Sequence, residues 1–215
     1  MPYREPAQDV VSQQTSPKGS FGRRFCELNE GVELTIGTYA VGGTGFADAR
    51  WNAPTPDPVT GGANRPIGDL LDTFVTGMNA ALALNPEDRF RIFCWHQGEN
   101  EASAGYTAAQ YLQELKDMVA YVRANITGAE DSVFICGTFT PELTALNPGP
   151  SGNGTGTYAE VQSVIRNIAA EIPRSDFVEM NGQSAQEIDI RHFDPQSYDY
   201  MGRKYAETAT RLLAL

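Results

Sequence analysis

Residues 90 to 100 run Phe90-Arg91-Ile92-Phe93-Cys94-Trp95-His96-Gln97-Gly98-Glu99-Asn100, an apolar stretch that ends abruptly in a polar cluster. A short run rich in Phe and Ile predicts a buried strand. Polar side chains gathered at its carboxyl end are what an α/β site requires, because ligands sit beyond the C-terminal ends of parallel strands.

Working outward, the flanking segments alternate between strand and helix patterns. On the N-terminal side, Leu70, Leu71, Phe74, Val75 and Met78 share one face of a helix predicted over 67–84, which the pair Asn85-Pro86 ends. On the C-terminal side, Thr107 and Gln110 form a capping box ahead of an apolar stripe through Tyr111, Leu115, Met118 and Val122. Val133 to Phe139 predicts the next strand. Thr157 and Glu160 cap a helix with Val161, Val164, Ile165, Ile168 and Ile172 inward, and Phe177 to Met180 is a short further strand. Asp194 as N-cap and Pro195 at the first helical position open a last helix reaching about Leu213.

The N-terminal third is less regular. Residues 1–19 form an irregular arm, and Ser20 is the N-cap of a short amphipathic helix carrying Phe21, Phe25 and Leu28. Val32 to Val41 alternates, is rich in β-branched residues and predicts a strand, with Gly42-Gly43-Thr44-Gly45 immediately after it. Prolines and glycines mark 51–66 and 141–156 as two long loops. Strands alternating with helices of ten or more residues mean βαβ units: a parallel sheet covered by helices on both faces, in one domain over residues 1–215.

Composition narrows the function classes. At 215 residues, 41% hydrophobic and 20% charged, the chain can bury a core without staples. No apolar run approaches the roughly 18 residues of a membrane span. The formal charge of −11 opposes binding to nucleic acid or an anionic membrane, which needs clustered Lys and Arg. Cys26, Cys94 and Cys136 are odd in number and lack metal-site spacing, so they read as buried thiols; neither metal nor cofactor is expected. No leader pattern stands at the first residues, and cysteine usage leaves the compartment open.

Only two histidines exist, His96 and His192, both in loops expected at the carboxyl edge of the sheet. Asp189 stands three residues before His192, near enough to hold its imidazole in one tautomer. Gly42 and Gly43 can turn backbone N–H groups toward a developing oxyanion, and Gln97 offers an amide donor. Glu99 is acceptor-only when ionised and suits bracing of nearby backbone.

Taken together, Ala40-Val41-Gly42-Gly43-Thr44, Trp95-His96-Gln97-Gly98-Glu99 and Asp189-Ile190-Arg191-His192-Phe193 resemble the second, third and fifth blocks of the SGNH hydrolase superfamily. They are most similar to its sialate O-acetylesterase and carbohydrate esterase family 6 branch, and the resemblance spans about residues 20–212. It implies a flavodoxin-like three-layer α/β/α sandwich and metal-free, serine-type hydrolysis of acetyl esters on sugars or other small esters. His192 is then the general base, Asp189 its partner, and Gly43 and Gln97 the oxyanion donors.

The nucleophile block departs from the pattern. The family places its serine after a first buried strand upstream of Gly-Gly-Thr, and no such block stands here. Ser12, Ser16 and Ser20 lie in polar, Pro/Gly or capping contexts. The expectation is a domain without its first strand, the serine lying on an upstream segment or a second chain. The alternative is a non-catalytic carbohydrate-binding or structural relative.

Overall fold

A computed structural model describes residues 16–56, 63–145, 158–187 and 189–214. The elements, in order, are α1 (Lys18–Leu28), a hairpin of β1 (Thr55–Pro56) and β2 (Ala63–Arg65), α2 (Asp69–Leu84), β3 (Ile92–Trp95) and α3 (Glu99–Ala104). They continue with α4 (Ala108–Asn125), β4 (Val133–Gly137), α5 (Pro141–Thr144), α6 (Tyr158–Arg166), α7 (Ile168–Glu171) and β5 (Ser175–Val178). The hairpin of β6 (Ala185–Gln186) and β7 (Asp189–Phe193) precedes α8 (Pro195–Leu213).

The central sheet is parallel in the order β3-β4-β5, with Ile92 opposite Val133 and Phe134 opposite Ser175. Because side chains alternate along a strand, each strand feeds two cores. Phe93, Trp95, Phe134 and Cys136 enter one apolar cluster with Leu71 and Phe74 of α2, Leu115 and Met118 of α4, and Val161 and Ile165 of α6. Val133, Ile135 and Val178 enter the other, with Phe21 and Phe25 of α1 and Met201, Tyr205 and Ala209 of α8. Helix layers on both faces make the expected sandwich. Burying a side chain such as Leu115 contributes about 1.5–3 kcal/mol, so these clusters hold the layers together.

Several local expectations match. The Thr107–Gln110 capping box forms in both directions, and Asp194 accepts the Ser197 N–H with Pro195 at the first helical position. The proposed capping role of Thr157 falls outside the described residues.

Four expectations are corrected. Ser20 lies inside α1, its hydroxyl bonded to the Pro17 carbonyl, and Pro17 occupies the N-cap. The segment 51–66, expected as a long loop, holds the paired strands β1 and β2, and its first residues Trp51, Asn52 and Ala53 are buried. Pro141, expected within a loop, opens a four-residue helix capped by the Thr140 hydroxyl, because proline at the first turn sacrifices no intrahelical bond. Cys136 is buried, but Cys94 is exposed in the middle of β3 and Cys26 half-buried.

The alternating segment from Val32 to Val41 forms no ladder beyond an isolated bridge at Thr35. Leu34 and Ile36 nonetheless pack against one core cluster and Tyr39 against the other, as the two faces of a strand would. Side-chain alternation brings this segment to the sheet. A ladder needs a neighbour in hydrogen-bonding register, and β3 pairs only with β4 among the described residues.

Candidate active site

The polar end of β3 is positioned by two tyrosines. The Tyr205 hydroxyl donates to the Trp95 carbonyl at 3.0 Å, and the Tyr111 hydroxyl donates to the Gln97 carbonyl. Burial keeps both phenols far above the usual range, so they remain donors. Gly98 turns the chain between strand and helix at φ 145. A Cβ there would stand 2.8 Å from Phe139 Cζ and 2.9 Å from Val161 Cγ1, so the close approach leaves room only for glycine.

His192 stands on β7 with its Nδ1 2.6 Å from Asp189 Oδ2. The same carboxylate accepts the Arg191 N–H at 3.0 Å, which, with the His192 bond, holds its pKa below the ordinary carboxylate value. Asp189 is therefore ionised at neutral pH. The imidazole is about half exposed, and no serine hydroxyl among the described residues bonds to it.

His96 is a different histidine. Its ring lies 5.6 Å from that of Phe193, and desolvation, helped by the nearby His192 charge, pushes its pKa down to about 4. It is neutral at pH 7, and its Nδ1 is buried without a hydrogen-bond partner. Glu99 Oε1 lies 3.9 Å from His96 Nε2. Burial raises the Glu99 pKa, against the lowering effects of local backbone N–H groups and of His192 and Arg191. The third and fifth sequence blocks thus meet through His96, Glu99 and His192.

The second block joins them through an unanticipated residue. Glu101, fully buried, accepts the Phe46 and Ala47 N–H groups at 2.6 and 3.0 Å, and the Gln97 amide also donates to it. Backbone bracing is thus shared, Glu99 facing the N–H groups of Gly98 and its own residue while Glu101 holds the second block. An amide carries two hydrogens, so Gln97 retains one N–H beyond the bond to Glu101. Any Cβ on Gly45 would overlap both the Gln97 amide nitrogen and the Glu101 carboxylate, which fixes how closely the glycine turn approaches.

Gly42 and Gly43 are exposed, and Gly43 adopts φ 74. The Gly43 carbonyl accepts the Asn100 side-chain amide at 2.7 Å. Thr44 donates its hydroxyl to the Val41 carbonyl at 2.8 Å and accepts the Trp51 indole N–H at 3.1 Å. Gly42, Gly43, Gln97, Glu99, Asp189 and His192 therefore belong to one neighbourhood, whereas Glu101 and Asn100 escaped sequence reasoning. Both lie in the polar run after Trp95, where nothing in the spacing tells which glutamate turns inward.

Among the described residues no group of His, Cys, Asp and Glu is arranged to hold a metal ion, and no helix is long and apolar enough to cross a membrane.

Helix layers on both faces of a parallel sheet, with His192 paired to Asp189 on the segment before the last helix, match the fold and the pairing that the SGNH resemblance implies. Comparison with known proteins makes the assignment specific. The chain belongs to the carbohydrate esterase family of sialic acid-specific acetylesterases, whose sequence model matches residues 2–211. No curated protein matches it. Among solved structures, one from Arabidopsis thaliana is similar at 13% identity and a TM-score of 0.68, covering 95% of this chain and 73% of that one. NanS is similar at 16% identity and a TM-score of 0.60, covering 91% and 70%. A carbohydrate acetylesterase family member from Sinorhizobium meliloti is similar at 14% identity and a TM-score of 0.58, covering 94% of each chain. At these identities the likeness establishes the shared fold.

Proposed function

We propose that this chain carries the base and oxyanion parts of a serine esterase that removes acetyl groups from a carbohydrate or other small ester. The observation that carries this reading is the His192–Asp189 pair at 2.6 Å, beyond the C-terminal edge of the parallel sheet. Asp189 stays ionised, holds the Nδ1 proton and leaves Nε2 as the base, the arrangement of a histidine that takes a proton from a hydroxyl and returns it to a leaving group. Gly43 and the second N–H of Gln97 supply donors for the tetrahedral oxyanion, and Glu101 holds Gln97 in place.

The serine arrives on a strand. β3 has one free edge among the described residues, Cys94 is exposed in the middle of that strand, and residues 34–39 contribute to both cores with no ladder beyond the single bridge at Thr35. These features fit a seat for one strand between residues 32–41 and β3, delivered by an upstream segment or a second chain. A residue following such a strand would emerge at the same edge as His192. The experiment is hydrolysis of p-nitrophenyl acetate by the protein with and without His192→Ala, with mass-spectrometric mapping of the serine trapped by a fluorophosphonate. Turnover lost in the variant, with one labelled serine, supports the reading; equal rates in both proteins refute it.

The second reading is a carbohydrate-binding relative without turnover. What favours it is that no serine hydroxyl bonds to His192 among the described residues. Saturable glycan binding with no hydrolysis and no labelled serine would establish it.

A further inference from the structure

Asn100 is half-buried at the start of α3, and its amide reaches across to the Gly43 carbonyl in a different sequence block. We infer that Asn100 is a positioning residue that fixes the Gly43–Thr44 peptide and so aims the N–H groups of the glycine turn; the inference rests on the esterase reading above.

Gly42 and Gly43 are adjacent, exposed, and have open space where a Cβ would stand, so no packing holds them. A glycine pair of this kind visits both signs of φ with little cost and loses much entropy when one conformation is imposed. Its peptide planes can rotate unless something grips them.

Two grips exist. Downstream, the Thr44 hydroxyl is held between the Val41 carbonyl and the Trp51 indole, which fixes residue 44 but not the peptide before it. The Asn100 amide holds that peptide through the Gly43 oxygen at 2.7 Å. A trans peptide is planar, with its carbonyl and N–H pointing in opposite directions. Gripping the oxygen on the α3 side therefore sends the Thr44 N–H the other way, and it sets ψ of Gly43, which limits how the preceding Gly43 N–H can swing.

The chemical benefit is preorganisation. Donors already aimed at the place where charge develops need not reorganise during reaction, and loss of such aim lowers the rate more than it weakens binding of substrate. Asn is suited to the task because its amide donates without carrying charge, whereas aspartate would present an acceptor to a carbonyl. A side chain that only secured α3 would need no partner in the glycine turn.

The test uses Asn100→Ala and the nearly isosteric Asn100→Asp, with two readouts. For p-nitrophenyl acetate both variants should lose roughly ten- to a hundred-fold in kcat, the scale of a small misplacement in a catalytic group, with KM within about threefold. Hydrogen exchange, followed by mass spectrometry over residues 41–46, should be at least about tenfold faster in both variants, with exchange in β4 and α4 unchanged. If the wild-type protein turns over no ester, the esterase reading fails and exchange alone decides the role of Asn100. Unchanged exchange over 41–46 overturns the inference, as does unchanged kcat in an active protein. Faster exchange throughout the chain would mark a general structural role and also overturn it.

Discussion

His192 Nδ1 stands 2.6 Å from Asp189 Oδ2, while Asp189 also accepts the Arg191 N–H at 3.0 Å, so one carboxylate orients both the imidazole and the backbone that presents it. Replacing Asp189 with Asn leaves the shape and removes the charge that stabilises an imidazolium. Esterase kcat should fall by roughly 10² to 10⁴, with the circular dichroism spectrum unchanged. The depressed pKa also gives a sign for stability: the contribution of Asp189 is present above the unfolded carboxylate value, near 3.9, and is lost as pH falls through the folded value below it. Denaturation between pH 5 and 2 should show a smaller acid loss in the Asn variant.

His96 makes the opposite histidine prediction. Its folded pKa of about 4 lies below the ordinary value near 6.5, so the unfolded state binds its proton first and stability rises with pH between the two. The contribution is fully present above about pH 6.5 and is withdrawn as pH falls toward 4. From pH 7 to pH 5 the wild-type protein should lose about 2 kcal/mol that His96→Gln does not lose, measured by urea unfolding at the two pH values.

Glu101 is buried with its acceptors committed to two backbone N–H groups and the Gln97 amide. Glu101→Ala leaves those donors unpaired and should cost about 2–4 kcal/mol in urea unfolding. Burial raises its pKa, so the stability tied to this carboxyl is full below about pH 4.3 and is lost as pH rises through the higher folded value. Glu101→Gln should flatten that part of the pH–stability curve, and because Gln97 loses its anchor, it should also lower kcat.

Gly98→Ala should be among the most damaging single methyl additions. The new Cβ would meet Phe139 Cζ at 2.8 Å and the Tyr111 hydroxyl at 2.9 Å, at a backbone φ of 145 that other residues rarely adopt. Overpacking and strain together should cost about 2–5 kcal/mol. A melting temperature within 2 °C of wild type would show that the turn relaxes freely.

Much of the architecture was legible because local chemistry agrees with the final structure. The Thr107–Gln110 box and the Asp194-Pro195 pair are self-contained signals, satisfied within a few residues whatever lies beyond. The pairing of Asp189 with His192 was legible for a similar reason, since three residues separate them on one segment. The run from Val32 to Val41 shows where such signals stop: its alternation states which side chains turn inward but not whether a partner strand stands beside it.

The sequence by itself determined the βαβ alternation, the three blocks and the resemblance to an acetylesterase family, because periodicity, caps and short-range motifs are properties of neighbouring residues. Only the tertiary structure decided which glutamate after Trp95 is buried, that Asn100 grips Gly43, and that His96 is held neutral while His192 remains half exposed. Those outcomes depend on desolvation and on hydrogen bonds between residues about 50 or more positions apart, such as Phe46 to Glu101, which no local pattern encodes.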